Sequence, residues 1–541
     1  MGFYFSLFLF LAHVSAILAQ TIEEAIIVVN GTKAIANTDP DYVCATMDWW
    51  PREKCNYNHC PWGNSSVINL DLNHPFLAKA IQAFKPLRIR IGGSLQDQVL
   101  YDIGNLRSPC HPFQRKKGGL FGFSRGCLHM DRWDELNRLL SKTGARVTFG
   151  LNALHGRHLT KKELWEGIWD SSNACDFINY TISKGYQIDS WEFGNELSGK
   201  GIGAHVFAEQ YGKDLIHLKA VISELYKNSQ SKPLLVAPGG FYDKGWFDKL
   251  LQVSGPDVVN VMTLHLYNLG AGVDPHLVQK ILDPHHLSEV SVTFRNLSET
   301  IQTKGPWSSA WVGESGGAFN SGGRHVSDTF VNSFWYLDQL GMAAMYSTKV
   351  YCRQTLIGGN YGLLNRTTFV PNPDYYSALL WHRLMGKEVL AVNTSSSPYL
   401  RSYAHCSKGR AGVTLLLINL SNQTKFHITV ENSMGINLAI KEDTRHMDRS
   451  FWHGIKKRVA WVGSKALDGP IFREEYHLTP NNGNLRSKTV LLNGTPLEIS
   501  GGGDIPSLNP VLVDISSLLY IPPLSIKFIA LSHFEAKGCP R

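Results

Sequence analysis

Two short segments carry glutamates in settings suited to acid–base chemistry. "SWEFGNELSG", Ser190 to Gly199, holds Glu192 and Glu196 four residues apart, and "WVGESGG" holds Glu314 just before two glycines. The apolar residues entering each motif read as short β-strands, along which side chains alternate in direction. Glu192 falls inside its strand. It reads as a structural carboxylate, paired with an arginine such as Arg90. Glu196 follows "FGN", where the strand gives way to a loop, and Glu314 ends a later strand. Two carboxyls about 5–5.5 Å apart can cleave a glycosidic bond with retention. One donates a proton to the leaving oxygen and later acts as base for water; the other attacks the anomeric carbon.

That chemistry needs a scaffold that brings distant strand ends together. From about residue 42 to 385, "YVCATMD", "LRIRIGG", "ARVTFGL", "SWEFG", "LLVAPGG", "VNVMTLHLY", "AWVGE" and "STKVYCR" read as strands, with helical patterns between most of them. "AHVFAEQYGKDLIHLKAVISELYK" is one such helical pattern. Eight strands interleaved with helices suggest an α/β fold, a (β/α)8 barrel, whose catalytic residues stand at the C-terminal ends of its strands. Glutamates ending strands four and seven would then meet across one mouth. Beyond about residue 390 alternating strands without helices read as a β-sandwich. The early stretch "AIIVVNGTKAIAN" is expected to add a strand to it. The expected division is 1–19 signal peptide, 20–40 N-terminal strand, 41–388 barrel and 389–541 β-sandwich.

The chain has 541 residues, 43% hydrophobic and 18% charged, which bounds it as a globular protein of two or three domains. Phe3 to Leu11 is apolar and is followed by the small residues Ala16 and Ala19, as in a secretory signal. A membrane anchor is the alternative, but His13 interrupts the run and its length is short for a span. Nine sequons begin at Asn30, Asn64, Asn179, Asn296, Asn365, Asn393, Asn419, Asn422 and Asn493. The nine cysteines fit an oxidising compartment and leave at least one unpaired. Cys55 and Cys60 lack the second half of a zinc site, so a disulfide or a free thiol is expected there and no metal. The expected location is extracellular or cell wall, with lysosome or vacuole and a peripheral membrane position as alternatives.

The formal net charge is +8. It favours approach to acidic polysaccharides and would equally suit attachment to an anionic wall or membrane surface. No nucleic-acid motif accompanies it. "QRKK", Gln114 to Lys117, lies near Arg125, and "KKR" spans Lys456 to Arg458; such runs are usually solvated faces. No H-E-x-x-H helix supports a metalloprotease. A rival class is a lectin-like, non-catalytic binder of acidic glycans on a glycosidase scaffold. The presence of both carboxylates argues against it, and a glycosidase of another sugar specificity remains a second alternative.

"WEFGNE" and "WVGESGG" resemble the acid and nucleophile segments of the heparanase family of retaining glycoside hydrolases. "CATMDWW", "LRIRIGGS", "TFGLNAL", "LHLYNLG", "VSDTF" and "YCRQTLIGGNYGLL" are also similar to that family. "CATMDWWP" and "ESGGAFNSG" resemble its plant heparanase-like branch. The resemblance covers nearly the whole mature chain. It implies an endo- or exo-acting β-glucuronidase that needs no cofactor, with Glu196 as proton donor and Glu314 as nucleophile. Its natural partner would be the acidic glycan of a proteoglycan, of heparan sulfate or arabinogalactan type.

By the same resemblance Asn195 contacts the hydroxyl beside the anomeric carbon, and Asp48, Gly93, Ser94, His265, Tyr267, Gln354, Gly359 and Tyr361 line the pocket. "GGNY", Gly358 to Tyr361, would hold the glucuronate carboxylate through backbone N–H groups and a tyrosine hydroxyl, with Asn320 and Ser321 contributing from the loop after Glu314. Cys406 and Cys539 would pair across the C-terminal domain. The animal enzymes carry an excised linker; residues 105–132 are too short to supply one, so a single chain, acting as a monomer, is expected. The basic stretch of the animal enzymes after strand five is replaced here by "PGGFYDKGWFDK". A raised carboxyl pKa on the acid implies a mildly acidic optimum, roughly pH 4–6.

Overall fold

The computed structural model describes residues 20–106, 109–199, 202–433 and 471–540. The proposed signal segment and Lys456 to Arg458 lie outside them. Eight parallel strands close into a barrel. In chain order they are Val43–Met47, Arg88–Ile91, Arg146–Leu151, Ser190–Phe193, Leu234–Gly240, Val261–Leu266, Ser309–Ser315 and Thr348–Arg353, here barrel strands one to eight. Each pairs in parallel with the next, with bulges where strand six meets strand five and where strand seven meets strands six and eight, and strand eight pairs with strand one.

Strand alternation sets what faces inward. In strand two, Ile89 and Ile91 join the apolar core, while Arg88 and Arg90 are buried among acids. Buried charges require partners. Arg88 finds Asp41 at 2.9 Å and Asp189 at 2.6 Å, and lies over the Trp311 ring. A small cluster of Cys44, Val236, Val261, Trp311, Val350 and Cys352 packs together, with Cys44 and Cys352 joined by a disulfide between strands one and eight.

Helices with apolar faces cover the barrel. The one after strand four runs Ala208–Leu225 and starts four residues later than the pattern beginning at Ala204 suggests. His205 instead bridges to Leu164, and its carbonyl accepts from the Trp165 N–H. The helix Phe330–Met345 is buried along nearly its whole length because the C-terminal domain covers it. Its first N–H groups, of Phe330 and Val331, donate to the carbonyls of Ser487 and Leu485. Arg401 binds Asp338 on its other face at 2.8 Å. Among the described residues, no helix is long and apolar enough to cross a membrane.

The helix Pro373–Leu384 passes directly into strand Met385–Ser395 of the C-terminal domain. There, among the described residues, eleven strands form one continuous sheet instead of two separate ones. Thr21–Asn37 is its N-terminal member, antiparallel to Met385–Ser395 and parallel to Thr424–Asn432. Strands Leu519–Ile521 and Ser525–Leu531 are six places apart in the order of the sheet. Laid flat they would be about 29 Å apart, but the residues joining them span at most ~14 Å. The sheet therefore folds over, and Ile27, Ile428, Ile521, Leu415 and Ile529 from its two layers share one core. The layering of a sandwich is present, produced by curling a single sheet.

Candidate active site

The end of strand four places Glu196. Ser190 and Glu192 face inward, and Trp191 and Phe193 pack outward among aromatic rings. Gly194 (φ 68°) then turns the chain, and Glu196 itself adopts φ 56°. That is a left-handed conformation a non-glycine residue enters at a cost, of a kind concentrated at functional sites. The Glu196 N–H donates to the Gly239 carbonyl at 2.7 Å, which fixes the turn.

Glu314 is the penultimate residue of strand seven. Both of its carboxylate oxygens are held. Tyr267 Oη donates to Oε1 at 2.5 Å, and Arg90 Nη1 donates to Oε2 at 2.8 Å. The same guanidinium donates from Nε to Glu192 at 2.7 Å and from Nη2 to Asn195 Oδ1 at 2.7 Å. The pairing of Glu192 with Arg90 is thus present, and one arginine also ties together the two motif segments. With its side-chain carbonyl so held, Asn195 has its amide nitrogen buried and without a partner among the described residues. Its backbone N–H is fixed by Asp97 Oδ2 at 2.8 Å.

Glu196, Glu314 and His265 each bring a polar atom within 4.8 Å of the others. One oxygen of each carboxyl thus comes within 4.8 Å of the other, close enough for both to act on one bond. Their environments differ. Burial pushes Glu196 up to about 7, opposed by the Arg90 charge. Glu314 instead has that guanidinium in direct contact at 2.8 Å. His265 Nδ1 lies 2.9 Å from Glu196 Oε1, and burial lowers His265 to about 4, so it stays neutral at neutral pH. The three residues could bridge a metal by spacing alone, but the bound arginine already supplies the positive charge.

The remaining site residues divide into a wall and its supports. Asp48, just past strand one, is buried; its Oδ2 accepts from Gln354 Nε2 at 2.8 Å and its Oδ1 from the Trp49 N–H at 2.6 Å. Burial, and then Glu314, push its carboxyl up. Gly93, at φ 130°, admits Asp48 closely: a Cβ there would come within 2.5 Å of Oδ2. Ser94 is half-buried in the next turn. Tyr361 is 3% exposed, with its hydroxyl 3.5 Å from Gln354 Nε2 and its ring edge-on to Trp62. Gly359, at φ 65°, lies against the Tyr361 ring, where a Cβ would come within 2.6 Å.

Asn320 and Ser321 both join the loop after strand seven to the loop of residues 49–62. The Asn320 amide donates to the Tyr57 hydroxyl at 2.8 Å on the exposed rim. The Ser321 hydroxyl donates to Asn56 at 2.9 Å and accepts from Trp62 Nε1 at 3.0 Å. The Ser321 hydroxyl proton is used in tying loops together, whereas the Asn320 amide has a second hydrogen beyond its bond to Tyr57. Gly313 to Gly317 spells G-x-S-x-G, which marks a serine nucleophile in other folds. Ser315 is fully buried, and its hydroxyl is engaged by the Leu266 carbonyl and by Tyr351.

Arg90 as a partner of Glu314, and Asp97, were not among the expected site residues. Alternating arginines inside the strand "RIRI" are the signal that buried carboxylates must face them. For Asp97 no comparable signal exists, since its partners are backbone N–H groups of distant loops. The cysteines form four pairs, Cys44–Cys352, Cys55–Cys60, Cys110–Cys127 and Cys406–Cys539, and Cys175 is free. Of the sequons, Asn64, Asn179, Asn393 and Asn422 are exposed, and Asn30, Asn296, Asn365 and Asn493 are half-buried. Asn419 is corrected: it is fully buried and its amide donates to the carbonyls of Thr424, Ile521 and Pro522, so the folded chain offers no glycan acceptor there.

Residues 24–341 match the profile of glycosyl hydrolase family 79, N-terminal domain. Heparanase-like protein 1 of Arabidopsis thaliana is 65% identical over 523 residues, 96% of each chain. Baicalin-beta-D-glucuronidase of Scutellaria baicalensis is 40% identical, over 94% of this chain and 92% of that one. A 4-O-alpha-L-rhamnosyl-beta-D-glucuronidase from Fusarium oxysporum 12S has a solved structure that aligns with a TM-score of 0.63 at 14% identity. The alignment covers 94% of this chain and 100% of that one and shows a shared fold.

Proposed function

Since the chain belongs to glycosyl hydrolase family 79, we propose that it is a retaining β-glucuronidase. The observation that carries this reading is the pair of close carboxyls in opposed environments, Glu196 pushed up to about 7 by burial and Glu314 held by Arg90 and Tyr267. Glu314 attacks the anomeric carbon. Glu196 gives its proton to the leaving oxygen, so the aglycone departs as an alcohol and a glycosyl ester remains on Glu314. Glu196, now ionised, removes a proton from water, which opens the ester and returns both groups to their starting states. The unpaired Asn195 amide supplies a donor for a sugar hydroxyl beside the reacting carbon. Asp48, Gln354 and Tyr361 form the polar wall of the sugar pocket, and the Gly359 backbone with the Tyr361 hydroxyl receives the C5 carboxylate.

The glucuronidase names of relatives support this specificity. The substrates proposed are glucuronate-bearing acidic glycans of proteoglycans outside the cell, a location supported by four disulfides and exposed sequons. Hydrolysis of an aryl β-glucuronide followed by NMR tests the reading. The first product should be the β-anomer of glucuronic acid. Initial release of the α-anomer would sink retention, and equal rates on the matching glucoside would sink the sugar assignment.

A further inference from the structure

Two buried polar atoms beneath the acid have no hydrogen-bond partner among the described residues. One is Nε2 of His265, on strand six; the other is Oε1 of Glu192, on strand four. Both side chains are buried, and an unmet hydrogen bond at that depth is costly. Their other polar atoms are engaged: Glu192 Oε2 with Arg90 Nε at 2.7 Å, and His265 Nδ1 with Glu196 Oε1 at 2.9 Å.

The two atoms border one space inside the barrel, kept open by glycines. A Cβ on Gly239 of strand five would come within 2.7 Å of Glu192 Oε1. A Cβ on Gly313 of strand seven would lie 3.4 Å from His265 Nε2, 3.6 Å from Glu192 Oε1 and 3.4 Å from the Thr263 Cβ. Both atoms are thus within reach of one small group beside Gly313, although they do not bond each other. The Thr263 hydroxyl accepts from the Gly239 N–H at 2.7 Å and keeps its own proton for a further partner.

The tautomer of His265 turns on this space. Burial lowers His265 to about 4, so the neutral ring carries one proton. With that proton on Nδ1, the ring donates to Glu196 and favours its carboxylate. With it on Nε2, Nδ1 accepts a bond from the Glu196 carboxylic acid and favours the acid form. The partner of the far nitrogen decides between them.

We propose that a single buried water bridges His265 Nε2 and Glu192 Oε1, and that Glu192 thereby holds the His265 tautomer whose Nδ1 keeps the proton on Glu196. The inference rests on the β-glucuronidase reading, in which Glu196 is the acid. The water accepts from the Nε2–H group and donates to the carboxylate, which gives it the two or more polar partners a buried water needs. Glu192 is then a positioning residue: it does not meet the substrate, and it acts on the acid through the water and the imidazole.

Gly313→Ala tests this on the whole protein, since a methyl group there makes ordinary contacts yet takes the water's place. The charged and titratable groups around Glu196 and His265 stay as they are: Arg90, Glu192, Glu314, Tyr267 and, behind Glu314, Asp48. The alkaline limb of kcat/KM on an aryl β-glucuronide should move down by about 0.5–1 pH unit, the worth of one hydrogen bond. In 15N NMR of histidine-labelled native protein, with His265 assigned against His265→Gln, the proton should sit on Nε2, and it should shift toward Nδ1 in Gly313→Ala. A crystal structure of the native protein should show the water within hydrogen-bonding distance of both atoms. A native proton on Nδ1, a direct contact between the two side chains, or an unmoved limb in folded Gly313→Ala would overturn the inference while the parent reading stands. If no β-glucuronide is hydrolysed the parent reading falls, and the NMR and crystal structure still decide the water and the tautomer.

Discussion

Arg90 Nη1 donates to Glu314 Oε2 at 2.8 Å, from a guanidinium that is itself 1% exposed. A cation this deep is stable only because Glu192 and Glu314 share it. On the proposed mechanism the consequence is functional as well as structural: the cation that offsets the buried Glu192 also orients Glu314 and, through Asn195, the turn bearing Glu196. Arg90→Met should cost several kcal/mol of stability, on the order of 3–5 for a broken buried pair. Arg90→Lys keeps the charge but cannot reach three partners at once. It is expected to remain folded, as judged by circular dichroism, with kcat down by about 10²-fold or more. Because Arg90 lowers the Glu196 pKa, the alkaline limb of the Arg90→Met rate profile should move upward. An unchanged profile in folded protein would argue that Arg90 is only a packing residue.

Glu196→Gln and Glu314→Gln should each lose several orders of magnitude in turnover. Glu196→Gln is expected to be spared on aryl substrates with good leaving groups, which need little protonation. Glu196 must carry its proton to act, and burial lets it keep that proton up to about pH 7. The rate should accordingly fall about tenfold per pH unit above about 7, and this limb should vanish in Glu196→Gln. Glu192→Gln should mainly lower stability, since its carboxylate reaches Arg90 and not the pocket. A rate profile flat to pH 9 in the native protein would contradict the assignment of the acid.

Tyr361→Phe should erode the preference for β-glucuronide over β-glucoside. The hydroxyl is one of few donors in a buried wall, and a donor built for an anion is left unsatisfied by a neutral sugar. The expected change is a rise in KM for the glucuronide with little change for the glucoside. Loss of activity on both in equal measure would point to a packing role against Trp62.

Cys406 and Cys539 join the second strand after the barrel to the end of the chain, 133 residues apart. On the entropic account such a loop is worth at most about 5 kcal/mol. Cys539→Ser should lower the melting temperature by several degrees and leave the glucuronide KM unchanged, because the bridge belongs to the core of the folded-over sheet. Recovery of Cys539 as a free thiol from unreduced protein would refute the pairing.

The parts of this protein legible in the sequence are those whose signal is local. Alternation of apolar residues located all eight barrel strands, and the step from "WEF" to "GNE" separated the strand-borne Glu192 from Glu196 because the strand ends at Phe193 and Gly194 turns the chain into its loop. What depended on distant packing was not legible. The two extra partners of Arg90 come from the turn after strand four and from strand seven, and the position of Asp97 depends on backbone groups nearly sixty and a hundred residues away. Asn419 has the same sequon as Asn422, yet it turns into the fold to satisfy three carbonyls. The bonds of Asn320 and Ser321 to Tyr57 and Asn56, on a loop more than 260 residues earlier, were not legible either. Local periodicity decides which face a side chain takes; only the folded chain decides which groups stand on the other side, and burial then makes each of those pairings obligatory.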